Sequence, residues 1–373
     1  MYETMFSPLS IGSVTLKNRI IFAPTTMGCA GEAYLSSMER IAAGGAAMLV
    51  IGDVPALNEP PSFGAPSPLT EDGFFFYQKL AEKIHRHGAA ACAQLHMSDT
   101  DTSAVSGLIP NLKAGLISMD EMRRFIHSRV RPFITQMSAD RIRFIAEGFG
   151  KSAARLEQAG FDMVQIHGDR MCGSFLSPLF NERNDRYGGS LKNRARFALD
   201  TICAVRSCCP ELPLEFKLAV RMEHPHYGNA GVTEAELEQL IPLLEHAGIN
   251  CFHVTLANHS SLSDTIPPAN HPYFGKEGCF LPFADKVKKY TARPVCGVGG
   301  LSNPDFIEKQ LASGRIDYAA MSRQLLADPE WPQKAASGCT DSIFRCIRCN
   351  KKCLGGLKSR QGAHCIYDDQ RRK

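Results

Sequence analysis

The sequence predicts an α/β fold, a (β/α)8 TIM barrel that is followed by a small cysteine-rich C-terminal module. Eight short apolar runs, rich in β-branched residues, recur along the 373-residue chain, and longer helical patterns lie between most of them. Glycine also stands where four of these helices should end, at Gly88, Gly160, Gly248 and Gly314. Strands that alternate with helices are typical of a parallel sheet, and eight of them favour a closed barrel over an open sheet.

The predicted strands show where to look for function, because chemistry in this fold lies at their carboxyl ends. In chain order the strands are Asn18–Pro24, Ala46–Gly52, Ala89–Leu95, Met163–Gly168, Leu214–Val220, Cys251–Ala257, Pro294–Gly300 and Tyr318–Arg323. The predicted helices are Phe74–His87, Ala139–Ala159, Asn193–Cys208, Glu234–Ala247, Pro282–Tyr290 and Asp305–Ala312.

One segment, Met97–Met137, is much longer than an ordinary strand-to-helix loop. Segments of this length are usually functional lids or disordered, and either is expected here. The segment carries the basic residues Arg123, Arg124, His127, Arg129 and Arg131. A solvated basic helix is the ordinary interpretation of such a run, and attraction of an anionic substrate is the alternative.

Composition limits the classes of protein to which the chain can belong. A formal net charge of +4 is too small to indicate nucleic-acid binding, and 44% apolar residues are enough for a large core. The first residues show no secretory signal, and no apolar stretch approaches the roughly 20 residues of a membrane-spanning helix. Fourteen cysteines without an export signal indicate reduced thiols, some of them ligands, in the cytoplasm of an anaerobe.

Two neighbouring strand ends predict a phosphate site. Strand seven ends in Val298-Gly299-Gly300, and strand eight ends in Met321-Ser322-Arg323. The loops after these two strands form the usual phosphate site of the fold, where backbone N–H groups approach the anion beside glycine and an arginine pairs with it. A plain tight turn would also explain the glycines, but the arginine at the next strand end favours phosphate binding.

Four cysteines of the tail, Cys346, Cys349, Cys353 and Cys365, are spaced to hold one metal centre. Gaps of two, three and eleven residues suit an iron–sulfur cluster held by thiolates. A structural zinc ion would use the same four ligands and is the alternative. The helical pattern fades after Ala335, so residues 1–335 are predicted as the barrel and residues 336–373 as the metal-binding segment.

Seven short motifs stand in order along nearly the whole chain: Ala23-Pro24-Thr25-Thr26, Ala93-Gln94-Leu95, Gln165-Ile166-His167, Phe175-Leu176-Ser177-Pro178, Arg186-Tyr187-Gly188-Gly189-Ser190, Leu301-Ser302-Asn303-Pro304 and Leu325-Leu326-Ala327-Asp328-Pro329. Together they resemble the motifs of the Old Yellow Enzyme family. The cysteine tail is similar to that of its 2,4-dienoyl-CoA reductase branch, which implies a [4Fe–4S] cluster on the four thiols.

By this resemblance the cofactor is FMN, bound at the mouth of the barrel. Besides the phosphate loops, the implied flavin contacts are Pro24, Thr25, Thr26, Gly52, Gln94 and Lys217. Lys217 stands where the family places a cation near N1, the flavin atom that gains negative charge on reduction, and a fixed positive charge there stabilises the reduced flavin. A solvated or salt-bridged lysine is the alternative, which the apolar run around Lys217 disfavours.

The catalytic motif after strand four departs from the family pattern. The chain reads His167-Gly168-Asp169-Arg170 where the family commonly has a second histidine or an asparagine, and then a tyrosine. His167, Asp169 and Arg170 are the predicted catalytic residues. Arg170 would polarise or anchor a carbonyl or carboxylate, and Asp169 would donate a proton if a dry pocket raised its pKa. The alternative is that Asp169 and Arg170 only form an ion pair beside the strand.

The His-Gly-Asp-Arg motif together with the cysteine tail resembles the bilirubin-reducing branch of this family in gut anaerobes. The resemblance implies reduction of carbon–carbon double bonds of bilirubin towards urobilinogen, with hydride from reduced FMN. An enoate, dienoyl-CoA or steroid enone reductase with an altered acid is the second hypothesis. A third is a non-catalytic electron-transfer or zinc-stabilised binding protein on an inactive barrel.

The source of electrons admits two alternatives. No glycine-rich dinucleotide fingerprint follows a predicted strand, and the chain stops eight residues after Cys365. Members of the family with this cluster commonly continue into an FAD- and NAD(P)H-binding half. The expectation is therefore that NAD(P)H reduces FMN directly or that a separate flavodoxin-like protein donates electrons, and the four thiols favour the separate donor.

Overall fold

The computed structural model describes residues 2–59, 65–221, 230–256, 261–358 and 362–368. Its strands are β1 (Leu9–Ile11), β2 (Val14–Leu16), β3 (Ile20–Phe22), β4 (Met48–Pro55), β5 (Ala90–His96), β6 (Met163–Ile166), β7 (Leu214–Arg221), β8 (Val232–Thr233), β9 (Cys251–Leu256), β10 (Val295–Gly297) and β11 (Tyr318–Met321). Strands β3, β4, β5, β6, β7, β9, β10 and β11 pair in parallel in that order, and β11 closes onto β3. Every predicted strand overlaps one of these eight, so the predicted TIM barrel is confirmed. The last residue of the sixth predicted strand, at position 257, lies outside the described residues.

An antiparallel hairpin, which the sequence did not predict, lies at the amino end of the barrel. Strands β1 and β2 are joined through Gly12, whose φ of 57° is left-handed as a tight hairpin turn requires. Ile11 and Leu16 are buried in one apolar cluster with barrel residues such as Met48 and Met163. Apolar side chains therefore fill this end, and the polar strand ends lie at the opposite mouth.

The helices surround the barrel with their apolar faces inward. They are α1 (Gly31–Ala43), α2 (Glu71–His85), α3 (Thr102–Ser106), α4 (Ile109–Lys113), α5 (Met119–Gln136), α6 (Ala139–Gln158), α7 (Met171–Leu176), α8 (Leu191–Arg194), α9 (Arg196–Cys208), α10 (Glu234–Ala247), α11 (Leu262–Thr265), α12 (Leu281–Lys288), α13 (Pro304–Ala312), α14 (Arg323–Ala327), α15 (Trp331–Ala336) and α16 (Lys352–Lys358). The six predicted helices are confirmed as α2, α6, α9, α10, α12 and α13. Within the described residues, no helix combines the length and the apolarity needed to cross a membrane.

A bulge near the end of β4 shapes the mouth of the barrel. The pairing of β4 with β5 shifts register between Ile51 and Val54. Asp53 lies inside this irregularity and has a φ of 54°, which a residue other than glycine rarely adopts. Because a bulge re-aims the side chains beside it, the carboxylate of Asp53 reaches the mouth of the barrel.

The long segment between β5 and α6 is folded into α3, α4 and α5, so the expectation of a disordered loop is wrong. Helix α5 begins with a capping box, in which the Ser118 hydroxyl accepts from the backbone N–H of Glu121 and the Glu121 carboxylate accepts from Ser118. At its other end, the guanidinium of Arg183 donates to three backbone carbonyls, of Ile134, Thr135 and Met137. Both ends of α5 are therefore fixed over the barrel mouth.

Two polar side chains, one on α14 and one directly after it, bind the segment that follows α15 to the barrel. Gln324 accepts a hydrogen bond from the backbone N–H of Cys346 at 2.8 Å, and Asp328 accepts one from Phe344 at 3.0 Å. These contacts hold the cysteine-bearing segment close to the carboxyl face. Of the predicted segment 336–373, residues 359–361 and 369–373 lie outside the described residues.

Candidate active site

The residues predicted to line the flavin ring gather at one edge of the barrel mouth. Pro24, Thr25 and Thr26 follow β3 directly, and the Thr26 hydroxyl donates to Asp53 Oδ2 at 2.8 Å. A Cβ atom at Gly52 would lie 3.0 Å from the backbone nitrogen of Thr25 and 3.5 Å from Pro24 Cβ. Glycine at position 52 therefore allows the ends of β3 and β4 to approach each other.

A chain of buried polar side chains orients Gln94. The Gln94 amide donates to Gln165, the Gln165 amide donates to Glu215, and the Tyr318 hydroxyl also donates to Glu215. All four side chains are buried inside the barrel. Burial raises the pKa of Glu215 despite the hydrogen bonds that it accepts. The chain fixes the amide of Gln94, a predicted flavin contact, at the base of the mouth.

Lys217 places a positive charge beside the same chain. Its side chain is 16% exposed, and among the described residues the only carboxylate within 4.0 Å of its ammonium group is that of Asp169. Burial and the neighbouring charge of Lys217 lower the pKa of His253 to about 3, so His253 is neutral. Lys217 is thus largely buried, with Asp169 at the outer limit of an ion pair, and this arrangement fits a charge that is directed at a ligand.

Four titratable side chains, Asp53, His96, His167 and Asp169, form what we call the acid–base cluster. His96 Nδ1 and His167 Nδ1 lie 2.9 Å apart, and Asp53 Oδ1 lies 3.8 Å from each of them. On the other side of its ring, His167 Nε2 lies 2.5 Å from Asp169 Oδ1. Both imidazoles and the Asp169 carboxylate are no more than 8% exposed. The sequence predicted two of these four residues.

The ionisation of Asp169 is opposite to the one expected for a proton donor. Burial acts to raise its pKa, but the nearby His167 and Lys217 outweigh that effect and hold the pKa of Asp169 well below its ordinary value. The carboxylate is therefore ionised, and the condition for Asp169 as the proton donor is not met. Burial lowers the pKa of His167 as well, so its ring is neutral near pH 7.

Arg170 does not pair with Asp169, which disfavours the interpretation of these residues as a simple ion pair. Asp169 contacts His167 and Lys217 instead, and the buried Nε of Arg170 has no hydrogen-bond partner among the described residues. Burial lowers the pKa of Arg123 on α5 to about 10, and the charge of Arg170 acts in the same direction. The two guanidinium groups therefore lie within range of each other's charge.

The predicted phosphate loops lie where two parts of the chain meet. Gly299 and Gly300 have φ angles of 125° and 68°, and Val298 beside them is partly buried against the core. A Cβ atom at Gly299 would lie 2.7 Å from the backbone nitrogen of Phe280, and one at Gly300 would lie 2.8 Å from the Arg348 guanidinium. Both backbones are left-handed, so glycine is required at the two positions. Because Arg348 belongs to the tail, its contact with Gly300 also shows that the tail crosses directly over this loop.

Ser322 and Arg323, after β11 and its last residue Met321, point in different directions. The Ser322 hydroxyl lies 2.8 Å from that of Thr25, at the ring edge of the site. Arg323 Nη1 donates to Asn350 Oδ1 at 2.6 Å and to a backbone carbonyl of the loop before α12 at 2.9 Å. Arg323 therefore joins the predicted phosphate site to the cysteine segment, a contact that the sequence did not predict.

All four predicted ligand cysteines line one cavity of about 320 Å³, including its part open to solvent. The cavity is also lined by Arg323, Asn350, Lys352 and Tyr367. The backbone N–H of Arg348 donates to Cys346 Sγ at 3.4 Å. Left-handed φ angles of 51° at Arg348 and 56° at Asn350 turn the chain tightly around the thiols. The structure thus brings together four thiols that are spread over twenty residues of sequence.

The chemistry of these groups fits FMN at the barrel mouth. Hydroxyls, a fixed amide and one ammonium group stand on or just after β3, β5 and β7, and these are donors that the polar edge of a flavin uses. Two glycines with left-handed backbones and an arginine stand after strands seven and eight of the barrel, where this fold binds phosphate. These residues are of the types that would hold the ring and the phosphate of a mononucleotide.

Gly168→Ala is expected to displace the catalytic motif. A Cβ atom at position 168 would lie 2.4 Å from the backbone oxygen of Lys217 and 2.4 Å from the Phe216 ring, so the loop after β6 must move away from β7. We expect a loss of about 1–3 kcal/mol in the free energy of unfolding and loss of most turnover, measured by chemical denaturation and activity. Gly107→Ala, where a Cβ atom meets only ordinary contacts at 3.5 Å, is the control, and equal stability of both variants would contradict this account.

The sequence analysis did not identify Asp53 and His96 as site residues, although a signal for both was present, and it gave Arg123 a substrate-attracting role only as the alternative. Asp53 and His96 lie at the ends of β4 and β5, where the fold places its chemistry. Nothing in the sequence distinguishes Arg123, which is partly buried, from Arg124, Arg129 and Arg131, which are exposed.

The chain is similar to known oxidoreductases. A family model described as NADH:flavin oxidoreductase / NADH oxidase matches residues 4–342. A protein named bilirubin reductase from Clostridium symbiosum (strain WAL-14163) is 55% identical over 371 residues, covering 100% of this chain and 99% of its own length. A second bilirubin reductase, from Mediterraneibacter gnavus (strain CC55_001C), is 32% identical over 98% of this chain but 56% of its own length.

Solved structures show the same fold. A 2-naphthoyl-CoA reductase in complex with 2-naphthoyl-CoA superimposes with a TM-score of 0.81 at 24% identity, covering 99% of this chain and 57% of that one. The chain thus spans nearly all of the C. symbiosum relative and about half of the two longer proteins. The family model matches most of the chain, so this protein belongs to the NADH:flavin oxidoreductase / NADH oxidase family.

Proposed function

We propose that this flavin-dependent oxidoreductase reduces carbon–carbon double bonds of bilirubin towards urobilinogen. The observation that carries the proposal is the 55% identity, over essentially the whole of both chains, with a protein named bilirubin reductase. The site adds chemical support, because it combines a flavin-binding edge with cationic groups suited to an acidic substrate.

Arg170 and Arg123 are proposed to hold a carboxylate of that substrate. Bilirubin carries two propionate groups, and two neighbouring guanidiniums give one carboxylate several charge-assisted hydrogen bonds. Leaving the buried Nε of Arg170 without an acceptor costs on the order of 1–3 kcal/mol, a cost that a bound anion would remove. FMN, when bound and reduced, would supply the hydride, and His167, with the ionised Asp169 against its ring, would take part in delivering the proton.

Arg123→Gln is expected to raise KM for bilirubin by about 10-fold or more, because a hydrogen bond to a charged group contributes about 1.5–3 kcal/mol. We expect little change in kcat, since Arg123 would hold the substrate and its transition state equally. The measurement is steady-state kinetics with bilirubin and with its uncharged dimethyl ester, which should show no effect. Arg124→Gln, at an exposed neighbouring position, is the control, and an equal rise of KM in both variants would contradict the assignment.

The four cysteines are proposed to hold a [4Fe–4S] cluster. The gaps of two, three and eleven residues between the four thiols suit such a cluster. The backbone N–H of Arg348, directed at Cys346 Sγ, would stabilise a thiolate ligand.

We propose that residues 1–335 form the flavin-binding unit and that residues 336–373 conduct electrons to it. Arg348 and Asn350 connect this segment to the phosphate loop and to Arg323. A cluster at this place would accept electrons from a separate flavodoxin-like donor, and direct reduction by NAD(P)H is the alternative.

Substrate comparison under anaerobic conditions tests the proposed function. The FMN-loaded protein, reduced chemically, is mixed with bilirubin, with an enoate, with a dienoyl-CoA thioester and with a steroid enone. The proposal expects reoxidation of the flavin by bilirubin at a kcat/KM well above that for the other three. A preference for the thioester or the steroid would replace bilirubin by that class of substrate.

A further inference from the structure

We propose that His96 and His167 form a proton relay that supplies the proton of ene reduction, with Asp53 and Asp169 balancing its charge. The inference rests on the proposed function, because it concerns the reduction of a carbon–carbon double bond at the same site. His96 and Asp53 have no role in the account given so far.

The acid–base cluster is a continuous chain of close polar contacts, with a hydrogen bond between the two imidazoles and an ion-pair contact between His167 and Asp169. Asp169 contacts His167 Nε2 at 2.5 Å, and His167 Nδ1 contacts His96 Nδ1 at 2.9 Å. Asp53 lies 3.8 Å from both Nδ1 atoms and is itself held by the Thr26 hydroxyl. Within the described part of the chain, the remaining ring nitrogen, His96 Nε2, has no hydrogen-bond partner and ends the chain.

The contacts determine which nitrogens carry protons when both rings are neutral. Asp169 is ionised and only accepts, so His167 must carry its proton on Nε2. His167 Nδ1 is then an acceptor, and the proton between the two rings belongs to His96 Nδ1. His96 Nε2 is consequently bare in the neutral cluster, which is the state that has given up its proton.

One added proton reverses which imidazole donates in the hydrogen bond between His96 and His167. With the extra proton, His167 is an imidazolium that donates to Asp169 and to His96 Nδ1, and His96 carries its proton on Nε2. Asp169 and Asp53 flank the added positive charge on both sides. Donation from His96 Nε2 to the substrate returns the pair to its neutral form, and solvent supplies the next proton.

Atoms and electrons balance in this step. The hydride that reduced flavin would supply forms a C–H bond at one carbon of the double bond, and His96 Nε2 gives a proton to the other. The π bond breaks, two C–H bonds form, the flavin is oxidised by two electrons and the substrate is reduced by two.

Other groups near the mouth are poor proton donors. Asp169 is ionised and has no proton to give. Burial raises the pKa of the Tyr318 phenol well above its ordinary value, and its hydroxyl is held by Glu215. Among the described residues at this mouth, the imidazole pair is therefore the group suited to exchange a proton near neutral pH.

The relay predicts a definite pH dependence. Burial lowers the pKa of His96 to about 4, with Asp53 raising it and His167 and Arg170 lowering it. Asp99, Asp169 and Lys217 are the other charged groups that act on the pair. The imidazole pair with the extra proton is the minority form at pH 7. The rate of flavin reoxidation by bilirubin should therefore rise as the pH falls from 8 towards 5.

His96→Asn tests the relay, because an asparagine amide can occupy the place of Nδ1 and donate to His167 but cannot pass a proton. We expect flavin reoxidation by bilirubin to slow by about 100-fold or more and to lose its dependence on pH, since positioned proton transfer contributes about 10²–10⁴-fold. The control is His85→Asn, which breaks an exposed His–Asp pair on α2 with 2.7 Å between Nε2 and the Asp162 carboxylate. His85→Asn should leave the rate unchanged.

A second variant tests the pH dependence of the relay, and an NMR measurement tests its proton positions without any turnover. Asp53→Asn removes a charge that raises the pKa of His96. The rise in the rate of flavin reoxidation should therefore occur at lower pH in this variant. In the oxidised holoenzyme with ¹⁵N-labelled histidine, NMR should show the Nδ1–H form of His96 and the Nε2–H form of His167 near pH 7. The opposite form of His96, or a divalent metal bound by Asp53, His96 and His167, would overturn the relay.

Failure of the relay and failure of the proposed function give different results. If the unsubstituted protein reduces bilirubin and His96→Asn keeps both its rate and its pH slope, the relay is wrong and the function stands. If the FMN-loaded protein leaves bilirubin unchanged while NMR shows the predicted proton positions, the relay stands and the substrate is wrong.

Discussion

Arg170→Gln and Asp169→Asn are each expected to lower kcat/KM for bilirubin by about 100-fold or more, through different steps. Arg170 lies beside Arg123 with an unsatisfied buried nitrogen, so its loss should appear mainly as a higher KM. Asp169 is the ionised partner of His167, and its replacement should lower kcat by about 10²–10⁴-fold because it changes which ring nitrogen carries the proton. Stopped-flow reoxidation of reduced flavin separates the two effects.

Matched variants distinguish these effects from general damage. Arg170→Lys keeps the charge but not the planar fork, so it should recover only part of the lost affinity. FMN content should stay the same in all three variants, because neither residue is proposed to contact the phosphate or the ring. Full activity in Asp169→Asn and Arg170→Gln would remove both residues from the mechanism.

Cys353→Ser is expected to abolish iron binding and turnover with a flavodoxin-like donor, while FMN remains bound. A cluster held by three thiolates is lost or degraded, and the cavity lined by Cys346, Cys349, Cys353 and Cys365 has no other cysteine among its lining residues. Iron and sulfide analysis after anaerobic purification, together with donor-driven turnover, measures the result. The flavin should still be reducible by dithionite and still be reoxidised by bilirubin.

Cys339→Ser is the matched control, since Cys339 is exposed and lies seven residues before the first ligand. It should keep its full iron content and its activity. Stoichiometric zinc in place of iron in the unsubstituted protein would contradict the cluster, and normal iron content in Cys353→Ser would contradict the ligand set.

The barrel was predictable because its strands are continuous apolar runs that end in recognisable turns. All four glycines that were predicted to end helices have left-handed backbones, with φ from 63° at Gly88 to 118° at Gly248. Helix α1 was missed, since Gly31 and a pair of serines weaken its pattern. The insertion was taken for a loop because of its length, although the capping box at Ser118 is a readable start signal.

The site was predictable where it depends on strand ends and not where it depends on backbone irregularity or on the orientation of a helix. Lys217 and Arg170 stand where the fold rule places them. Asp53 reaches the site only because β4 carries a bulge with φ of 54°, and no feature of the local sequence specifies that bulge. His96 directly follows the third predicted strand, but its partner His167 is 71 residues away and meets it only in the closed barrel.

The role of Asp169 changed for an electrostatic reason. A dry pocket was expected to raise its pKa, and burial does act in that direction. The nearby His167 and Lys217 reverse the outcome, and these contacts arise from two different strands. A sequence shows that a residue ends a strand, but the neighbours that determine its ionisation come from the fold.

Anaerobic single-turnover kinetics test the central claim most directly. The protein is loaded with FMN, reduced with one equivalent of dithionite per flavin and mixed with bilirubin while the flavin and pigment absorption are followed together. This account predicts that flavin oxidation and loss of the pigment occur at the same rate and in equal amounts. Reduced, FMN-loaded protein that leaves bilirubin intact would contradict it.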